Sequence, residues 1–189
     1  MTAVRSPRPV PYDEFLVTEK ASDDRHEWVD GAVYAMSRGS PEHGRLTGRV
    51  IARLLTPLLE QGCEIFSSDT AIFIEAARHH TYADASVVCG SLITRTVRDK
   101  NGQSIGEAIV NPTIVVEVLS EATERYDRDG KFDAYKKLAS LEEYVLVSQS
   151  ERCIEVRTRD GEAFAVRVAR EGESIQVHGR DVEVDAIYA

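Results

Sequence analysis

The sequence predicts an α+β fold, a central mixed or antiparallel sheet flanked by helices, and three stretches carry that reading. NPTIVVEVLS (residues 111–120) is a short run with apolar residues at Ile114, Val115, Val116, Val118 and Leu119, the pattern of a buried strand. PEHGRLTGRVIARLLTPLLEQG (residues 41–62) places Leu46, Val50, Leu54, Leu55, Leu58 and Leu59 at helical spacing. The C-terminal third gives the short strand-like runs EYVLVS, CIEVRT, EAFAVRVA, SIQVHG and DVEVDAIY, with RDGE as a turn signal.

The other elements follow in chain order. PYDEFLVTEK (11–20) reads as a short helix that tolerates Pro11 at its start. RHEWVDGAVYAMS (25–37) is two strand runs about an Asp-Gly hairpin turn. In the helix of residues 41–62, Pro57 is placed to bend it and Gly62 to close it. CEIFSSDTAIFIE (63–75) and YADASVVCG (82–90) are strand-like, and RTVRDKNGQSIGEAIVNP (95–112) reads as a polar loop with an Asn101-Gly102 turn. TERYDRDGKFDAYKKLASL (123–141) reads as a helix with Thr123 at its N-cap and acids in its first turn.

The chain has 189 residues with 42% hydrophobic content, which suits a single domain over 1–189, since domains commonly run ~100–200 residues. Cys63, Cys89 and Cys153 are far apart, odd in number and form no C-x-x-C pair. That usage points to a reducing, cytoplasmic compartment, with packing as the role of Cys89. MTAVRSPRPVPYDEF lacks the apolar core of a signal peptide, and no stretch approaches the ~20 apolar residues of a membrane span, so no membrane partner is expected. A net charge of −9 argues against a broadly basic nucleic-acid binder but not against a local cleft that meets DNA through metal ions. There is no H-E-x-x-H, G-x-S-x-G or P-loop.

Glu117 interrupts the apolar run 114–119. Strand alternation sets it on one face with Thr113, Val115 and Leu119. An ionised carboxylate on a covered face is costly unless paired or coordinated, so the choices are a strand end, an Arg partner or a cation. Asp84 stands at the start of YADASVVCG. Two acids at the ends of adjacent strands can hold one Mg²⁺ or Mn²⁺, and such an ion activates water and offsets charge on a phosphodiester. Lys131 is the candidate for steadying that charge. It shares a helix face with Asp127 and Tyr135 and flanks the packing side marked by Phe132, Tyr135 and Leu138; the competing reading is an exposed pair with Asp127. Lys136 and Lys137 read as solvated.

HEWVDGAVYAMS, SPEHGRLTGRV, YADASVVCG, NPTIVVEVLSEATERYDRDGKFDAYKKLASLEEYVLV and CIEVRT occur in this order. The set resembles the Uma-type family of proposed endonucleases, within the restriction-endonuclease-like PD-(D/E)XK superfamily, over roughly residues 12–157. The resemblance implies a restriction-endonuclease-like fold with additional antiparallel strands and a divalent-metal nuclease centre acting on DNA. In it Asp84 and Glu117 are the metal ligands, and Lys131 supplies the lysine that the superfamily motif carries two residues after its second acid, where this chain has Leu119. Ala83 likewise stands where a Pro is usual. Glu27 resembles an acid contributed from the N-terminal part, against a strand-surface role. His43 is set to contact phosphate or water, against a structural role at a helix start. Asp69 fits a turn or surface role better than the acidic cluster, and His79 and His80 read as polar-loop residues. A symmetric homodimer is expected by analogy, since cutting both strands often uses two sites. The departures at Ala83 and Leu119 keep open a catalytically silent module that binds DNA or a protein partner.

Overall fold

A computed structural model of the chain describes residues 3–4, 8–37 and 39–189, with the backbone alone at 3–4. Residues 1, 2 and 5–7 of the stretch read for a leader lie outside the described residues. β1 (Ala3–Val4) and α1 (Tyr12–Lys20) precede the hairpin β2 (His26–Val29) and β3 (Ala32–Ala35). Asp30 and Gly31 take φ of 46° and 92°, the left-handed pair that a two-residue hairpin turn demands. α2 (Pro41–Arg49) starts where Ser40 accepts the His43 N–H, and it runs on through a π turn (Val50–Leu55) and a 3₁₀ turn (Thr56–Gln61) to Gly62 at φ 77°. The expected single helix therefore changes pitch ahead of Pro57, which has no N–H to donate to the ladder. The change turns Leu59 outward, 50% exposed rather than packed.

The run 63–75 divides into β4 (Cys63–Ser67) and β5 (Ala71–Ile74), which join different sheets. β6 (His79–Tyr82) and β7 (Ala85–Cys89) follow. His79 and His80 are therefore strand residues, each 2% exposed, which corrects their reading as a polar loop. Residues 95–112 are not a loop either: β8 (Thr94–Arg98) and β9 (Ser104–Ile109) pair as a hairpin about Gly102. β8 is an edge strand with alternating exposure, so its polar residues stand on a wet face.

β10 (Ile114–Leu119) is buried along its whole length. The next helix comprises a π turn (Tyr126–Lys131) and α3 (Phe132–Tyr135), ending earlier than the expected residue 141. β11 (Glu143–Ser148), β12 (Cys153–Asp160), β13 (Ala163–Arg170), β14 (Ser174–Val177), β15 (Arg180–Glu183) and α4 (Val184–Tyr188) complete the chain. The second half of DVEVDAIY is thus a helix rather than a strand, and its Val184 and Ile187 seal the core.

One sheet has the order β1-β3-β2-β6-β5-β9-β8 and the other β13-β12-β11-β10-β7-β4. α2 and α4 pack on one face of the six-stranded sheet around Val50, Leu54, Val116 and Ile187. The other face meets Ile72 and Ile74 of the first sheet and Tyr135 of α3. α1 covers the first sheet through Phe15 and Leu16. A strand covered on both faces explains the apolar run of β10, and each buried Val, Leu or Ile there contributes roughly 1.5–3 kcal/mol. That burial is ample to hold one costly carboxylate in the same strand. Among the described residues no helix is long and apolar enough to cross a membrane.

Candidate active site

The chain leaves one sheet and enters the other between β6 and β7, and Asp84 stands at that crossing. β7 runs antiparallel to β10 and their ladder ends with Ala85 opposite Val116, so Asp84, the residue before Ala85, stands at the end of the ladder next to Glu117. Asp84 Oδ2 accepts the Val118 N–H at 2.6 Å, tying it to the backbone beside Glu117. The His43 imidazole reaches the same oxygen at 3.1 Å from the first turn of α2. Both acids line one cleft of about 410 Å³, together with Glu27, His43, Asp127 and Lys131. A larger hollow of about 720 Å³ lies beside α1 and β9. Of its acids, Asp23, Asp24, Asp69 and Glu107 are exposed and the half-buried Glu19 is engaged by His26 and Tyr82, and the hollow is lined by no buried lysine, so the smaller cleft is the better candidate.

Lys131 projects into the sheet rather than into water, with 5% of the residue exposed. Its ammonium donates to Glu117 Oε1 and to the Tyr82 carbonyl, each at 3.0 Å, and lies 3.5 Å from Glu27 and 3.6 Å from Asp127. The exposed Lys131–Asp127 pair is therefore excluded, because both residues are buried among further acids. Glu27, on β2, is fully buried, which replaces the strand-surface reading. Thr81 and Tyr126 donate to its two oxygens, the latter at 2.8 Å, and His79 lies 3.7 Å away. Asp69 is an exposed turn residue paired with Arg25 and takes no part.

The carboxylates differ in electrostatic state. Burial acts to raise the Glu27 carboxyl, but Lys131, His79 and Thr81 outweigh it and hold it down at about 2. Burial lifts Glu117 well above the usual range, Asp127 and Asp84 add to the lift, and Lys131 offsets only part of it. Asp127 is raised by its own burial. Burial opposes the charge on Lys131, yet Glu117, Glu27 and Asp127 keep it protonated. His43 is raised first by its hydrogen bond to Asp84. Glu27 is thus held ionised by Lys131, His79 and Thr81 together, while Glu117, though it takes the shorter contact with Lys131, is pushed by burial toward its neutral form.

The donor set fits a hard divalent cation. Hydrogen bonds from the described residues engage Asp84 Oδ2 and Glu117 Oε1, while Asp84 Oδ1 and Glu117 Oε2 accept none. Mg²⁺ takes oxygen ligands, often one or two carboxylates with water or phosphate oxygens completing the shell. Among the described residues no three of these acids and His43 converge within 4.8 Å. The cleft therefore suits that sparse ligation rather than an all-protein cage.

Sequence reasoning undervalued several members of this cluster. Asp127 was visible only as a surface partner of Lys131. Thr81 and His79 alternate along one strand face, but that signal appears only once residues 79–82 are read as a strand. Tyr126 gave none, because its approach to Glu27 depends on the π turn.

The fold has solved counterparts. A crystal structure described as a "putative nuclease belonging to DUF820" from Anabaena variabilis superposes with a TM-score of 0.74 at 16% identity, covering 95% of this chain and 98% of that one. The architecture is thus the restriction-endonuclease-like α+β fold expected. Two relatives are uncharacterized proteins of Synechocystis. One, slr1290, is 33% identical over 93% of this chain and 90% of its own length. The other, sll1609, is 27% identical over 72% and 73%. Residues 12–182 match the profile of Uma2, described as "Putative restriction endonuclease". The chain belongs to the Uma2 family.

Proposed function

We propose that the protein is a divalent-metal-dependent endonuclease that hydrolyses phosphodiester bonds in DNA. The observation that supports this best is Asp84, at the entry to β7, held beside Glu117 by its bond from the Val118 N–H, with the Lys131 ammonium 3.0 Å from Glu117 in the same cleft. Mg²⁺ or Mn²⁺, when bound by Asp84 and Glu117, supplies an activated water and offsets charge on the phosphate. Lys131 carries a fixed positive charge beside the acids, held there by Glu27 and Asp127, and such a preset charge steadies negative charge that builds on the scissile phosphate. His43 orients Asp84 through Oδ2 and leaves Oδ1 to the cleft. The reading includes a cytoplasmic enzyme acting as a homodimer, because a duplex presents two strands to cut.

The test is cleavage of supercoiled plasmid and of single-stranded DNA with Mg²⁺ and with Mn²⁺, beside Asp84→Ala. Metal-dependent nicking by the native chain that Asp84→Ala abolishes supports the reading. Failure to cut either substrate with either metal returns the silent DNA- or protein-binding module.

A further inference from the structure

We propose that Cys63, Cys89 and His178 form a second site, a thiolate–imidazole site for a zinc-like divalent cation that reduction opens and oxidation closes. Cys63 begins β4 and Cys89 ends β7, and the antiparallel register sets them directly opposite each other. Their Cα atoms are 4.0 Å apart and their sulfurs are joined as a disulfide, so Cys89 packs against the core, as its sequence context suggested, and is also cross-linked. Cys63 is buried, whereas Cys89 and His178 are half-buried and within reach of solvent.

His178 is the residue that makes this more than a cross-strand disulfide. It opens the β14–β15 turn, where His178 and Gly179 take φ of 47° and 75°. Asn, Asp or Gly suits the first of these positions best, so turn geometry alone does not select His. One backbone contact and two ring contacts hold it. Its backbone N–H donates to Glu143 Oε2 at 2.8 Å, its Nδ1 lies 3.5 Å from Glu142 Oε2, and its Nε2 lies 3.8 Å from Cys89 Sγ. A carboxylate behind one ring nitrogen, with the other aimed at the ligand position, is how metal-binding histidines are oriented.

The spacing suits a tetrahedral ion. The ligand atoms of all three residues lie within 4.8 Å of one another. With Zn–S bonds of about 2.3 Å and Zn–N bonds of about 2.0–2.1 Å, a tetrahedral site needs S···S of about 3.8 Å and S···N of about 3.6 Å. His178 Nε2 is already near that distance from Cys89 Sγ and within 4.8 Å of Cys63 Sγ, so the main change needed is the parting of the sulfurs. Cys89 lies at the opposite end of β7 from Asp84, roughly 16 Å away at the usual strand rise. The site is therefore separate from the carboxylate cleft.

A dithiol reductant opens the site. Its thiolate attacks one cysteine sulfur, the S–S bond breaks, and its second thiol resolves the mixed disulfide. Cys63 and Cys89 end as thiols, and the reductant ends as its own disulfide. The cation then displaces the two thiol protons to solvent, His178 donates its Nε2 lone pair, and water takes the fourth position. Thiolate ligands select zinc over magnesium, so the two sites sort their metals by chemistry. In a reducing compartment the thiol form persists, and the ion would clamp the β14–β15 hairpin, whose Ile175, Val177 and Val182 are core residues, to the β4–β7 pair.

The test uses the full chain, treated with a phosphine that takes up the oxygen of water as it reduces the disulfide, and then titrated with Co²⁺. The expected result is one equivalent of Co²⁺ with a thiolate-to-cobalt charge-transfer band, displaced by Zn²⁺, and no such band in the oxidised protein. Cys63→Ser/Cys89→Ser should lose the band. Should that variant fold poorly, His178→Gln, a half-exposed turn change, should keep the fold and weaken Zn²⁺ binding at least about tenfold. Glu117→Gln should retain the full band. No thiolate band in the reduced native chain, undiminished binding by His178→Gln, or loss of the band in Glu117→Gln would each overturn the proposal.

Discussion

At the scale of single residues, Glu27, Glu117 and Lys131 form one buried charge group in which each member has a different task. Glu27 is held at about 2 against an ordinary 4.5, so it is a depressed acid. Its stabilisation is complete above the unfolded value and is lost as pH falls from about 4.5 toward 2, an effect of roughly 3 kcal/mol. Glu27→Gln should therefore lower the urea midpoint near pH 6 and show a shallower loss than the native chain on acidification to about pH 3. Parallel midpoint curves for the two proteins would contradict the counter-ion role. For Lys131→Ala, a purely catalytic lysine seen from the sequence would leave melting almost unchanged. The structure says otherwise, because removing Lys131 strands Glu27, Glu117 and Asp127 in the interior. Breaking such a buried pair costs about 3–5 kcal/mol, so Lys131→Ala should lose stability together with at least ~10²-fold in cleavage rate. A variant that melts like the native chain would show that the acids do not depend on Lys131.

At the scale of elements, the π turn of residues 126–131 positions Tyr126 against Glu27 and Lys131 against Glu117. Gly130 belongs to that geometry. Helix propensity alone favours Gly130→Ala by about 1 kcal/mol. An added Cβ would instead meet the Tyr126 ring at 2.8 Å, and that ring is anchored through its hydroxyl to Glu27. Gly130→Ala should thus lower the melting temperature, and a rise would show that the tyrosine yields freely. This element also marks where the sequence stops being legible. The strand around Glu117, the Asp-Gly hairpin and the packing of Phe132, Tyr135 and Leu138 follow from periodicity and turn chemistry. The same periodicity assumes a uniform α pitch, so it missed the π turns and misplaced Leu59. The β8–β9 hairpin was hidden because the exposed face of an edge strand looks like a polar loop. His79 and His80 were hidden because burial of paired polar residues is a tertiary fact.

At the scale of the molecule, two sheets meet at a seam, and the seam builds the cleft. Glu27 comes from one sheet, Glu117 from the other, Asp84 from the crossing between them and Lys131 from the helix in the wedge. The sequence made Asp84, Glu117 and Lys131 readable as a set and placed Asp127 on the face of Lys131, but not as a buried member, and it gave no sign of Thr81 or Tyr126, whose approach to Glu27 depends on how the seam closes. A working dimer should sediment at twice the chain mass of 21.0 kDa, and a single-chain mass would contradict that part of the reading.

The central claim, that Asp84 and Glu117 hold the ion that cuts DNA, is tested most directly by the rate of plasmid nicking by Glu117→Gln in Mn²⁺. Glu117 is raised toward its neutral form by burial, so the amide should replace it with little loss of packing or melting temperature. The account predicts a folded variant whose metal-dependent nicking falls by at least ~10²-fold, about 2.7 kcal/mol of barrier. Nicking at the native rate by that folded variant would contradict it.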